Sequence, residues 1–259
     1  MVPLISQFDP WNSRNCTCFS KLSFNPYTGC DHNCVYCYAS SYIPQFSNCR
    51  PNKDLFHRLE KEALKLTGEV ISIANSSDPY PCLEAKNKLT RNCLKILSQN
   101  DCLIQIVTKS TIVTRDIDLL TKLPCTVSLT ITSDDDTLTR LIEPNAPLAS
   151  ERLKAIEKLV AQNIPVSVRV DPIIPLLNDK PDSLIAKLSD LGVKHITTSI
   201  YKVKLDNWKR FSEKLPYISK RIKPLYFERG EKIGTYFFIQ KDLRLKILKN
   251  IKHIVQKKE

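Results

Sequence analysis

Three cysteines, Cys30, Cys34 and Cys37, fall on one short stretch in the pattern C-x3-C-x2-C. That spacing puts three thiolates on a single loop, enough to hold three corners of a cubane iron–sulfur cluster. The fourth iron of a [4Fe–4S] cluster then keeps open positions, by the logic that separates a catalytic metal site from a closed structural one. An open iron can bind the amine and carboxylate of S-adenosylmethionine (SAM). One electron then cleaves a sulfur–carbon bond and yields a 5′-deoxyadenosyl radical, which abstracts hydrogen from unactivated carbon. The cofactors supply that reactivity, and the chain supplies position and exclusion of side reactions. Such a reaction needs a one-electron donor such as a ferredoxin or flavodoxin. The competing chemistry is a closed tetrahedral zinc site, with His32, Cys16 or Cys18 as fourth ligand. The second C-x2-C pair that usually accompanies such zinc sites is absent.

The other cysteines do not form a comparable cluster. Cys93, Cys102 and Cys125 sit in apolar stretches and read as small buried hydrophobes. Cys16 and Cys18, two thiolates without further clustered partners, make a poor second metal site.

The elements that must position the loop follow from the pattern of the chain. Val-, Ile- and Thr-rich segments at 22–25, 70–74, 103–108, 126–131, 166–170 and 195–199 predict buried parallel strands. Amphipathic runs at 55–66, 84–98, 115–123, 150–162, 183–191 and 207–214 predict the helices between them. Ser150 and Asp182 are expected to cap two of these helices. Six strand–helix units imply an α/β fold built as an open or closed barrel, with chemistry at the carboxyl ends of the strands. The polar motifs fall there: 27–37, 75–84, 109–110, 132–136 and 171–175. Residues 1–20 form an N-terminal segment, 21–220 the barrel, and 221–259 a C-terminal extension. In that extension, 225–227 and 236–239 predict two short strands and 242–256 a basic helix.

The segment Asn25-Pro26-Tyr27-Thr28-Gly29-Cys30-Asp31-His32-Asn33-Cys34-Val35-Tyr36-Cys37-Tyr38 resembles the radical SAM proteins related to spore photoproduct lyase. The resemblance continues through Ser77-Asp78-Pro79-Tyr80 with Glu84, Leu89-Thr90-Arg91, Ile106-Val107-Thr108-Lys109-Ser110, Arg115-Asp116-Ile117-Asp118, Val127-Ser128-Leu129, Glu143-Pro144 and Arg152-Leu153. It implies a partial (βα)6 barrel, a [4Fe–4S] cluster on Cys30, Cys34 and Cys37, and SAM. It places Tyr36 near the adenine, with ordinary core packing as the alternative. It places Lys109 and Ser128 at the SAM carboxylate, where an ammonium and a hydroxyl at strand ends would suit that charge. A surface lysine is the alternative for Lys109. The glycine-rich motif that receives the SAM amine in many radical SAM enzymes is missing, and Ser76, Ser77 and Asp78 stand in that stretch. They are candidates for amine or ribose contacts, against simple turn chemistry. Arg169 either lines the barrel or pairs with Glu143 or Asp171. The lyase carries a hydrogen-donating cysteine near the end of its second strand, where this chain has Asn75. Cys82, a few residues on, could substitute only if its loop folds back, so lyase activity on DNA is not implied.

The chain carries a formal net charge of +12, much of it late: Lys241, Arg244, Lys246, Lys249, Lys252, Lys257 and Lys258. That excess favours an anionic partner such as nucleic acid, with a solvated helix face as the alternative. A small-molecule or peptide substrate, or a non-catalytic iron–sulfur or zinc module, are the other readings of the same residues. No apolar run reaches the length of a membrane span, and no signal-peptide pattern opens the chain, which leaves a cytoplasmic location as the expectation.

Overall fold

The computed structural model describes residues 3–8 and 18–257. Cys16 and Lys258, named above as a zinc ligand and a charge of the tail, lie outside the described residues. In chain order the elements are β1 (Ser6–Gln7), β2 (Leu22–Phe24), β3 (Tyr27–Thr28), β4 (Arg50–Pro51), α1 (Leu55–Ala63), β5 (Glu69–Ile73), α2 (Glu84–Asn87), α3 (Leu89–Leu97), β6 (Cys102–Thr108), α4 (Ile117–Leu120), β7 (Cys125–Thr130), α5 (Asp136–Ile142), α6 (Ala149–Ala161), β8 (Val166–Ile173), α7 (Asp182–Asp190), β9 (His195–Ile200), α8 (Leu205–Lys214), α9 (Pro216–Phe227), β10 (Glu231–Ile233), β11 (Tyr236–Phe238) and α10 (Lys241–Gln256).

Six strands run parallel in the order β2-β5-β6-β7-β8-β9, with β1 antiparallel on the outer edge of β2. The first and last strands do not pair, so the sheet is open, an incomplete barrel. Buried Ile71, Ile73, Ile104, Ile106, Val127, Leu129, Val168 and Val170 alternate along their strands, share one face of the sheet and supply its core, while Ser72, Gln105, Ser128 and Ser167 point to the other face. The six strands lie where the residue pattern predicts them.

Several local expectations are corrected. The single helix at 84–98 is two, because Lys88 adopts a left-handed conformation between α2 and α3. The helix at 115–123 is a tight 3₁₀ stretch, Thr111–Asp116, followed by the short α4. Ser150 does not cap α6: the chain enters through Leu148, whose N–H donates to Glu151, and Ser150 instead donates to Asp136 at 2.6 Å. Asp182 lies inside the first turn of α7, where its charge suits the helix dipole, and Pro181 holds the cap position. Residues 225–227 are not a strand but the last turn of α9. They carry an aromatic cluster rather than a sheet edge: Phe227 packs on Trp208 and Phe237 with ring centres 5.1 and 4.8 Å apart. β10 and β11 pair antiparallel, and α10 lays buried Ile247 and Ile251 against the core beside α7 and β9. No helix among the described residues is long and apolar enough to cross a membrane.

Candidate active site

The cysteine loop follows β2 and β3 directly. It can start where it does because Gly29 has φ +81°, and a Cβ there would lie 2.4 Å from the Phe46 carbonyl oxygen. That approach lets the Cys30 N–H donate to the same carbonyl at 2.8 Å. A side chain at position 29 would therefore both strain the backbone and push the loop away.

Cys30, Cys34 and Cys37 line one cavity at the carboxyl ends of the strands. Its walls come from each strand end in turn. After β5 come Asn75, Ser76, Ser77 and Asp78; after β6, Lys109; from β7, Thr130; from β8, Arg169 and Asp171; from β9, Ser199. Tyr36 and Tyr38 join from the cysteine loop. Cys18 lines it too, from the segment preceding β2. Two expected residues are not brought to this wall. Ser128 is buried one layer down, with its hydroxyl 2.9 Å from that of Ser167. Thr130, two residues further on and so on the same face of the strand, occupies the place at the cavity. Cys82 is exposed outside the lining, its N–H donating to Asp31 at 2.8 Å.

The three thiols are free. Among the described residues, the ligand atoms that close to within 4.8 Å of one another are those of Cys30, Asp31 and His32, and the three thiols do not close up in that way. A single zinc ion needs tetrahedral thiolates at about 2.3 Å from one centre, whereas a cubane gives each thiolate its own iron and holds them further apart. His32 is also engaged elsewhere: it is buried, with Nε2 3.1 Å from Asp78 Oδ2. The loop therefore fits a cluster better than a zinc ion. Burial, followed by the Asp78 charge, pushes the Cys30 thiol up. Burial pushes Cys34 up to about 12, with the Lys109 ammonium working against it. Such thiols give up their protons when metal takes their place, so loading releases protons.

Asp78 organises the wall rather than offering a free carboxylate. It accepts from the Thr108 hydroxyl at 2.6 Å, the Lys109 N–H at 2.7 Å and the Tyr80 N–H at 2.9 Å. Burial works to raise its pKa, but His32 and these donors outweigh burial and hold the carboxyl at about 2. Asn75 differs: its Oδ1 takes the Ser72 hydroxyl at 3.1 Å, while its buried Nδ2 has no partner within the protein. A buried donor without an acceptor is costly unless a ligand completes it. Asn75 lines the cavity, so a ligand that reached this amide would complete it.

Beneath Lys109 lies a buried ionic knot. Glu143 meets Arg152 at 2.5 Å and Lys109 at 3.9 Å, and accepts from the Thr132 hydroxyl at 2.6 Å and from Tyr36. Arg152 also donates to the Thr130 and Pro147 carbonyls. The Lys109 ammonium stands 5.7 Å from the centre of the Tyr36 ring. Arg169 pairs with Asp171 at 2.8 Å, and Ser199 donates to the same carboxylate at 2.5 Å. Both expectations for Arg169 therefore hold at once: it lines the barrel and it pairs with Asp171. From Tyr38 in the cavity wall a chain of rings runs on to Tyr42 and Tyr236, with centres 6.3 and 6.4 Å from that of Tyr38. Lys204 sits over Tyr42 and Tyr236, at 5.7 and 4.6 Å. Sequence motifs marked neither this rim nor the roles of Glu143 and Arg152.

A family model for the radical SAM superfamily matches residues 24–191. The protein MJ0683 of Methanocaldococcus jannaschii is 32% identical over 167 residues, which cover 62% of this chain and 63% of that protein. The protein Rv2578c of Mycobacterium tuberculosis is 25% identical over 198 residues, covering 68% of this chain and 57% of the relative. The chain thus spans less than two thirds of the length of either relative, and both are named as uncharacterised. Among solved structures, a spore photoproduct lyase mutant with bound AdoMet and dinucleoside spore photoproduct superposes with a TM-score of 0.70 at 16% identity, covering 94% of this chain and 74% of that one. SuiB of Streptococcus suis bound to S-adenosylmethionine gives 0.61 at 12% identity, covering 92% and 48%. At such identities the likeness is one of fold, and it places the same open barrel around both. With a family match over more than half its length and the three-cysteine loop at the mouth of that barrel, this chain belongs to the radical SAM superfamily.

Proposed function

We propose that this protein is a radical SAM enzyme that holds a [4Fe–4S] cluster on Cys30, Cys34 and Cys37 and abstracts a hydrogen atom from a nucleic acid. The observation that carries the first half is the meeting of three free thiols, the Lys109 ammonium and the unfilled Asn75 amide in one cavity. When bound, the cluster and SAM supply the one-electron cleavage of a sulfur–carbon bond and the carbon radical that follows from it. The chain's part is position. Lys109 attracts the cofactor carboxylate, Asn75 donates to an acceptor on it, and Ser76 and Ser77 offer hydroxyls beside it. Tyr36 gives an aromatic wall next to Lys109, and Arg169 with Asp171 closes the far side. A small electron-transfer protein such as a ferredoxin or flavodoxin would deliver the electron.

The direct test is anaerobic. Protein reconstituted with iron and sulfide, then given dithionite and SAM, should release 5′-deoxyadenosine, measured by chromatography with and without single-stranded DNA or RNA. Protein that takes up only zinc and releases none sinks this reading in favour of a binding module. Lys109→Ala should weaken SAM binding by roughly 10- to 100-fold, the scale of a lost hydrogen bond to a charged group, with cluster content unchanged. Equilibrium binding of SAM to the reconstituted variant checks it.

The nucleic-acid half rests on the rim. Exposed Tyr38 and Tyr42, with Lys204 over the Tyr42 and Tyr236 rings, offer faces on which unstacked bases can lie and a cation for a phosphate. Tyr38 is 39% exposed and Tyr42 50% exposed, and Tyr38 runs from the surface into the cavity wall. The net charge of +12 supports an anionic partner. Binding of a fluorescent single-stranded oligonucleotide should fall steeply with salt. Tyr38→Ala with Tyr42→Ala should cost about 1–3 kcal/mol per stacked base. Absence of binding at low salt would leave a small molecule or peptide as the substrate.

A further inference from the structure

We infer that Glu143 and Arg210 grip the cysteine loop from two sides and bias the reduction potential of the cluster it carries in opposite directions. The inference rests on the cluster assignment made above and adds two positioning residues to it.

On one side lies the turn that follows α5. The Val35 N–H donates to the Ile142 carbonyl at 2.9 Å, and the Asn145 N–H to the His32 carbonyl at 3.2 Å. The Asn145 side-chain amide donates to the Asp31 carbonyl at 2.8 Å. Glu143, between them in sequence, accepts from the Tyr36 hydroxyl. The turn therefore meets the loop at four points, Asp31, His32, Val35 and Tyr36. On the other side lies the start of α8. Arg210 Nη2 donates to the Cys37 carbonyl at 2.8 Å and to the Ser40 hydroxyl at 2.7 Å. Asn207 Nδ2 donates to the Tyr36 carbonyl at 3.1 Å. These contacts join residues more than 100 and more than 160 positions apart in the chain. Neither grip is needed to close the sheet, and both end on the backbone that presents the thiols.

The two grips carry opposite charge. Glu143 is a fully buried carboxylate that balances Arg152 and Lys109. Arg210 is a cation that balances Asp206, at 3.2 Å. Reduction adds one electron to the cluster, so nearby positive charge stabilises the reduced form and nearby negative charge opposes it. Neutralising Glu143 leaves two cations beside Tyr36 and Cys34 without their counter-charge. Neutralising Arg210 leaves the Asp206 carboxylate uncompensated next to the Cys37 end of the loop. The first change is buried and acts through low dielectric; the second is half-exposed and partly screened.

The test is a potentiometric titration of the reconstituted protein without SAM, followed by the EPR signal of the reduced cluster. Glu143→Gln should raise the midpoint potential and Arg210→Gln should lower it by a smaller amount. Arg210→Lys, which keeps the charge but loses the fork, should stay near wild type. Tyr36→Phe removes one hydrogen bond to Glu143 and no charge, so it should move the potential much less than Glu143→Gln. If both neutralising variants shift the potential in the same direction, or if Tyr36→Phe moves it as far as Glu143→Gln, the assignment of charge is overturned. Should Glu143→Gln fail to hold a cluster, the sign of the shift in Arg210→Gln decides, and an upward or absent shift overturns the inference. A wild-type protein that takes up no iron and sulfide overturns the functional reading itself, which separates the two failures.

Discussion

Cys30→Ala, Cys34→Ala and Cys37→Ala are each expected to abolish 5′-deoxyadenosine formation and to strip the chain of most of its iron and sulfide. The loss should exceed 100-fold or so, because removing a direct ligand must cost more than the 10- to 100-fold typical of an outer-shell partner. The fold should survive. The main core is built from the strands and their covering helices, and these thiols lie at its margin: Cys30 packs in a small separate cluster with Ala39 and Phe46, Cys37 packs on that cluster, and Cys34 touches the main core from its edge. Cys34 and Cys37 are only partly buried. Far-UV circular dichroism and the urea midpoint of the metal-free protein should therefore stay close to wild type. That pairing of outcomes matters, since lost activity with lost structure would say nothing about ligation. Ser substitutions make a further check, as a hydroxyl keeps the shape of the side chain with a smaller terminal atom and is a poor iron ligand. Cys93→Ala, in the buried face of α3, gives the opposite pattern: some stability lost from a small cavity, cluster content unchanged. Full SAM cleavage by the triple-alanine variant would end the radical SAM reading.

The residues that announce this chemistry are local, and that is why they could be read from the chain. C-x3-C-x2-C is a loop pattern whose meaning does not depend on what folds against it. The parallel strands were legible for a similar reason. Ile71, Ile104, Val127 and Val168 sit in short runs dominated by β-branched residues, the composition that a buried strand face favours. Lys109 was legible because it follows a strand end directly. Ser128 shows the limit. It and Thr130 share one face of β7, and only the depth at which the strand meets the cavity decides which hydroxyl is at the wall. A shift of two residues is invisible to the alternation of a strand. The segment 225–227 has a different origin. Tyr226 and Phe227 favour strands and Pro224 is itself unfavourable inside a helix, yet packing of both rings on Trp208 decides for α9. The grips on the loop were out of reach altogether. Asn207 and Arg210 look like polar positions on an amphipathic helix, and nothing near them in sequence mentions the cysteines. Glu143 and Arg152 were visible as recurring residues of the family pattern, yet their pairing needs the turn between α5 and α6 to fold them together.

That pair carries the largest expected effect on stability. Arg152→Met should destabilise the protein by about 3–5 kcal/mol, the usual cost of removing one partner from a buried ion pair. Both side chains are fully buried, so the carboxylate left behind cannot reach water. Lys109, at 3.9 Å, compensates only in part, and the Thr130 and Pro147 carbonyls lose their donor as well. Glu143→Gln with Arg152→Met should recover more than half of the loss, because it removes the stranded charge and keeps the acceptor for Thr132. Urea unfolding of the two single variants and the double variant measures the coupling. The pH dependence has a definite sign. Burial would raise the Glu143 pKa, but Arg152 and Lys109, with hydrogen bonds from Thr132 and Tyr36, outweigh it and hold the carboxyl at about 2, against an ordinary value of 4.5. A carboxyl depressed in the folded state stabilises the protein above its unfolded pKa, and that contribution disappears as the pH falls through the folded one. Wild-type stability should therefore decline between about pH 5 and pH 2 by an amount on the order of 3 kcal/mol from this group. Glu143→Gln should decline less steeply over that window, and identical slopes would mean that the knot is not charged in the folded protein. With the knot charged, acid stability rests on Glu143 and cluster content on the three cysteines, and Tyr36 links the two through its hydrogen bond to Glu143.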